Sequence, residues 1–131
     1  MNSLIRNSKQ VRQSIDFTGV ENNKIHPTDI DFVFEFDNNI LILGEVKRLG
    51  NNIPTGQRLV LERLVDNWKG NSIALKVVHN HKDDDTDIPL VDCYVESYYF
   101  NNEWSKPKKY YSLKEFINEL GKKWKNNKCK F

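Results

Sequence analysis

Hydrophobic and polar positions along the chain alternate or cluster in ways that predict a distinct series of elements. Ile30 to Phe36 alternates, with Phe32, Phe34 and Phe36 on one face and Asp31, Val33 and Glu35 on the other, which predicts a strand. Ile40 to Lys47 is apolar almost throughout, so it reads as a central strand covered on both faces. Thr55 to Lys69 sets Leu61, Leu64, Val65 and Trp68 on one helical face, between Pro54 and Gly70. Ser72 to His79 reads as a buried strand and Leu90 to Phe100 as a longer one. Ser112 to Trp124 predicts a helix opened by a capping box, Ser112 with Glu115, and burying Leu113, Phe116, Ile117, Leu120 and Trp124. Ser3 to Ser14 carries a thin apolar stripe of Leu4 and Val11, continued by Ile15, and reads as a helix. Turn clusters at Glu21 to Lys24, Asp37 to Asn39, Gly50 to Pro54 and Asp83 to Asp87 separate these elements. The expected class is α/β, a mixed central β-sheet flanked by helices.

Composition narrows the setting. A chain of 131 residues, 38% hydrophobic and 29% charged, has the make-up of one folded, soluble domain spanning 1–131. The longest strongly apolar run, Ile40 to Gly44, is too short to cross a bilayer, and Met1 to Gln10 carries no signal-type stretch. Cys93 and Cys129 stand far apart, so neither a disulfide framework nor a zinc site is indicated, and a reducing cytoplasm is expected. The net charge of +2 is unevenly spread, since Lys106 to Phe131 holds nine lysines against Glu115 and Glu119. Lys106, Lys108, Lys109, Lys122, Lys123 and Lys125 can follow a phosphate backbone, or equally cover a surface helix and a frayed tail.

Chemistry concentrates between Pro27 and Lys47. Glu45 and Lys47 are two apart on a strand, so they project from one face at the end of a segment made of Ile and Leu. Charge buried there is costly unless paired or bound to metal, and side chains two apart on one strand run parallel and seldom meet. Hairpin register decides whether Asp31 joins them. A two-residue turn at Asn38-Asn39 would set Asp31 opposite Val46, on the wrong face. A three-residue turn, Asp37-Asn38-Asn39, sets Phe36 opposite Ile40 and Asp31 across from Glu45; that turn, or a bulge of the same effect, is the expectation, with Asn39 able to take the left-handed conformation that ends it.

Pro27-Thr28-Asp29-Ile30-Asp31, a short hairpin and then Glu45-Val46-Lys47 resemble the signature of the PD-(D/E)XK nuclease superfamily. The likeness runs to His79 and is nearest in style to small stand-alone members, the Holliday junction resolvase-like and viral replication-repair nucleases. It implies a restriction-endonuclease-like αβββαβ core. It also implies Mg²⁺-dependent hydrolysis of DNA phosphodiester bonds, with Mn²⁺ as a substitute ion. The metal would be held by Asp31, Glu45 and the backbone carbonyl of Val46, and Lys47 would act on the attacking water or the developing charge. Asp29 lies on the same strand face as Asp31 and is the reserve ligand. Gln57 matches a glutamine that many such nucleases place at the start of the next helix, although an ordinary first-turn polar residue reads the same way. Leu4 to Ser14 lacks the acidic residue that several members add there.

Other features carry less. His79 and His81 read as solvated residues at a loop exit, and Asp83, Asp85 and Asp87 lack the Gly and Glu of a calcium loop. Among the aromatics from Tyr98 to Tyr111, Trp104 and Tyr110 are candidates for base stacking, against the commoner use in a core. The leading expectation is a DNA endonuclease of repair, recombination or viral DNA processing. A non-catalytic nucleic-acid-binding module and a ribonuclease are the alternatives. Dimerisation would let two sites act on two strands, though no sequence feature demands it.

Overall fold

The computed structural model describes residues 15–83 and 85–131, so the helix expected over Ser3 to Ser14 lies outside the described residues. In chain order the elements are β1 (Phe32–Phe36), β2 (Ile40–Arg48), α1 (Thr55–Asp66), β3 (Asn71–His79), a 3-10 turn (Leu90–Asp92), β4 (Tyr94–Phe100), β5 (Glu103–Ser105) and α2 (Leu113–Lys123). They form one mixed sheet in the order β1-β2-β3-β4-β5, with β2 and β3 parallel and the other neighbours antiparallel. The α/β class and the mixed sheet are as the sequence predicts. Two strands precede α1 among the described residues, where an αβββαβ order calls for three. No described helix is long and apolar enough to cross a membrane.

The all-apolar β2 is central because both faces are covered. Its Ile40 and Ile42 join Ile73, Leu75 and Val77 of β3 beneath Phe116 and Ile117 of α2. On the opposite face Leu43 and Ala74 pack with Leu61 and Val65 of α1 and with Tyr99. Each such buried aliphatic side chain contributes roughly 1.5–3 kcal/mol. Phe32, Phe34 and Phe36 lean on the α2 side, and the Phe32 ring lies over Gly44, filling the space a Cβ would need.

Several boundaries differ from expectation for local reasons. The strand expected from Leu90 starts at Tyr94, because Asp92 and Cys93 donate back to Pro89 and Leu90 and close a 3-10 turn. The β4–β5 hairpin, unread in the sequence, turns on Asn101-Asn102, both left-handed. Helix α1 stops at Asp66 rather than Lys69: Asn67 donates its amide to Arg63, and the Trp68 indole N–H donates to the Asn39 carbonyl. Leu64, expected inside, is 44% exposed, since the inward row is Leu61 and Val65. The C-terminal segment is not frayed. Cys129 is fully buried, its carbonyl packs against Gly121, and Asn118 bonds both the N–H and the carbonyl of Phe131.

Candidate active site

Register comes first, because it decides which side chains share a face. Phe36 pairs with Ile40 and Phe32 with Gly44, so one step further Asp31 stands across from Glu45. The three-residue turn is present, and Asn39 N–H donates to the Phe36 carbonyl at 2.9 Å. Its left-handed residues are Asp37 and Asn38, not Asn39. Both residue types tolerate that conformation, and the Glu35 carboxylate accepts from the Asn38 N–H at 2.6 Å, which fixes the turn.

Strand β1 starts at Phe32, so Asp31 sits just beyond the ladder and completes it with its side chain. Its carboxylate accepts a hydrogen bond from the Val46 N–H at 2.7 Å. A residue's N–H and C=O leave a strand on the same side, so the Val46 carbonyl faces the edge where Asp31 lies. Asp29, the reserve ligand, is exposed and stands two residues back from this contact.

Glu45 is 2% exposed and within hydrogen-bonding reach of Asp31. Burial, then the Asp31 charge and the hydrogen bond to its carboxyl, push the Glu45 carboxyl up to about 7, against the opposing pull of Lys47 and the Asp31 amide. A carboxyl buried next to another carboxylate gives up its proton less readily than a free one, and here it is Glu45 that is buried while Asp31 stays exposed. Lys47 follows two residues on, half-buried on the same face. Gln57 lies in the first turn of α1, one turn ahead of the inward Leu61, as the sequence reading placed it. That turn begins at Pro54 with no side-chain cap and no acidic residue, so its N–H groups and dipole favour an anion. Glu45 Oε1 and Gln57 Oε1 are the two buried side-chain oxygens that find no hydrogen-bond partner among the described residues. Buried polar atoms are rarely left so, and both are acceptors waiting for a donor or a cation.

These groups fit a hard divalent ion better than a zinc site. The available donors are two carboxylates and a carbonyl, all oxygen. Among the described residues no three of His, Cys, Asp and Glu are placed to hold one metal ion; a hard cation held by two carboxylates and a carbonyl fills the rest of its shell with water.

Lys76 is the lone charge in an otherwise apolar stretch of β3, a signal that the alternation of the strand alone does not turn into a role. It neighbours Glu45 in register and is buried, with its Nζ 2.8 Å from the Glu96 carboxylate. A register shift between Lys76 and Val77 makes room for Glu96. The histidines also differ from expectation. His79 is buried and its Nδ1 accepts from the His81 N–H, while burial and then the charges of His81 and Arg48 hold its pKa down. His81 stays half-exposed, 3.7 Å from Asp92.

The lysines divide between the two faces of the sheet. Lys106 and Lys109 line a trough with Val78, Tyr94 and Tyr110. Lys108 and Lys123 line a groove on the α2 side, where Lys123 lies over the Phe100 ring. Lys122 pairs with Glu119 on exposed α2, and Lys125 is a left-handed residue just past its end. Trp104 packs on Tyr99 and donates to Glu62 at 2.8 Å, so it belongs to the core, whereas Tyr110 is exposed. No family model, no curated protein and no solved structure matches the chain.

Proposed function

We propose that this chain is a metal-dependent nuclease of the PD-(D/E)XK type that hydrolyses DNA phosphodiester bonds. The observation that carries the reading is Glu45: a buried carboxyl beside Asp31, with one oxygen unpartnered and Lys47 on the same face. A purely structural use of these positions would have satisfied that oxygen. Further support comes from their order, a hairpin carrying Asp31 and Glu45-Val46-Lys47, then a helix opening with Gln57, then a parallel strand. A restriction-endonuclease-like core is part of this proposal.

Asp31, Glu45 and the Val46 carbonyl would hold Mg²⁺, or Mn²⁺ in its place, which when bound supplies Lewis-acid polarisation of the phosphoryl group and a water of lowered pKa. Asp31, tied to the Val46 N–H, is fixed in place before substrate arrives. Lys47 donates to the negative charge that develops on the phosphoryl oxygens. Gln57 accepts a hydrogen bond from water through its free Oε1 and so orients that water. Water oxygen attacks phosphorus as the bridging P–O bond breaks; the attacking water gives up a proton to bulk water, and the leaving alkoxide takes up one proton from bulk water. The uncapped first turn of α1 favours the substrate's anionic charge.

The test incubates the protein with supercoiled plasmid, single-stranded DNA and a four-way junction, in Mg²⁺ or in EDTA, beside Lys47→Ala and Asp31→Asn. Cleavage that requires the ion, and that falls about 100- to 1,000-fold in each variant, is expected. Tight binding without cleavage, unchanged by either substitution, would replace this reading with a nucleic-acid-binding module.

A further inference from the structure

Beside the proposed centre a second row of side chains crosses the sheet. Lys47 of β2 neighbours Val78 of β3, and Val78 neighbours Tyr94 of β4, so the three project from one face. Tyr94 thus stands two strand spacings from Lys47, about 10 Å across the sheet. Its ring stacks on Tyr110, with centroids 4.3 Å apart and planes inclined by 23°. Two open troughs of about 250 and 230 Å³ share Leu49, Val78, Tyr94 and Tyr110 in their linings, so they form one continuous channel.

Its charge differs along its length. Where Lys106 and Lys109 line it, the acidic residue Glu96 is paired with Lys76, whereas Asp92 lies in the other trough, 3.7 Å from His81. Lys106 and Lys109 line the same channel, and Lys109 holds its Nζ 4.9 Å from the Tyr111 ring centre. A flat aromatic step lined by cations suits a strand whose bases are unpaired, because every base offers a stackable face and every phosphate a negative charge. A blunt duplex presents no open base to stack. Tyr110 is 72% exposed, and the ring that holds it in place is Tyr94 rather than the core.

We infer that the Leu49–Val78–Tyr94–Tyr110 channel binds an unpaired DNA strand leaving the Lys47 centre, with a base stacked on Tyr110 and phosphates on Lys106 and Lys109. The inference rests on the nuclease reading for its direction, since it takes Lys47 as the site of the scissile phosphate. It assigns the substrate class as single-stranded, flapped or splayed DNA rather than blunt duplex.

Fluorescence anisotropy of a labelled single-stranded oligonucleotide and of the blunt duplex of the same sequence, in EDTA so that nothing is cut, tests it. Tyr110→Ala weakens single-strand binding roughly 5- to 100-fold, and Tyr110→Trp retains it. Lys106→Ala weakens it at low salt and flattens its salt dependence. Duplex affinity changes less than about two-fold on loss of the Tyr110 ring, which makes no stack with paired bases. Unchanged single-strand affinity in Tyr110→Ala, or an equal loss on the duplex, overturns the channel. Mg²⁺-dependent cleavage that needs Lys47 alongside such a result would leave the nuclease standing and remove the channel alone. Conversely, Tyr110-dependent strand binding with no cleavage of any substrate would leave the channel and remove the nuclease.

Discussion

The Asp31 carboxylate takes the place of a missing strand residue: it accepts the Val46 N–H at 2.7 Å one residue before β1 begins. This contact joins the two halves of the candidate centre before any ligand is present. It also makes Asp31→Asn a mild change structurally, since an amide oxygen can accept the same bond. Loss of cleavage in that variant without loss of stability would therefore report on chemistry.

Glu45 should act against stability. Its folded-state carboxyl sits at about 7, above the ordinary value of 4.5, so the folded chain binds the proton more tightly than the unfolded one. Stability is then highest below the unfolded value and falls as pH rises through about 7. In EDTA at pH 8, Glu45→Gln should gain on the order of 2–4 kcal/mol over the parent, with the gain vanishing near pH 4. Urea unfolding at both pH values measures this, and a less stable Gln variant at pH 8 would contradict it.

Divalent ion should reverse that cost. Mg²⁺ binding only the folded chain raises its melting temperature, and at a hundred times Kd the gain is about 2.7 kcal/mol. Glu45→Gln and Asp31→Asn should show most of that shift abolished. A Mg²⁺ shift of equal size in parent and variants would place the ion elsewhere.

Phe32 and Gly44 fit each other tightly. An alanine Cβ at Gly44 would overlap the Phe32 ring, so Gly44→Ala must displace that ring. We expect a loss of roughly 1–3 kcal/mol, as for other overpacked sites. Phe32→Ala in the same chain should make the added methyl almost free, and a double-mutant cycle by urea unfolding tests the coupling.

Lys76 and Glu96 form an ion pair in which the lysine is buried. Removing the carboxylate in Glu96→Ala leaves an ammonium without its partner. A loss of roughly 2–4 kcal/mol is expected, short of the fully buried case because Glu96 is partly exposed. A change below about 1 kcal/mol would mean that the ammonium finds water instead.

Much of this was legible in the pattern of residues. The alternation of Phe32, Phe34 and Phe36 and the apolar run of β2 gave the hairpin, and the requirement that Asp31 and Glu45 share a face gave its turn length. The capping box at Ser112 and Glu115 is present with both hydrogen bonds. What escaped was non-local. Leu64 and Leu61 look alike in sequence, and the packing against Ala74 and Tyr99 selects Leu61. His79 read as polar and solvated because the strand that buries it ends there. The Lys76–Glu96 pair depends on a bulge between strands, and Tyr94 meets Tyr110 only because β4 and the approach to α2 lie side by side.

Surface loops as a rule absorb added or lost residues without harm. The loop of Asp37, Asn38 and Asn39 is an exception. Side chains alternate along a strand, so a single residue gained or lost there that shifts the pairing would carry Asp31 to the far face of the sheet. The hairpin could still close and Phe34 could still find apolar neighbours, yet the carboxylates would point apart. Spelling of that loop can vary where the left-handed backbone is tolerated; its length cannot, and a tally of residues six positions away is what gives the centre its address.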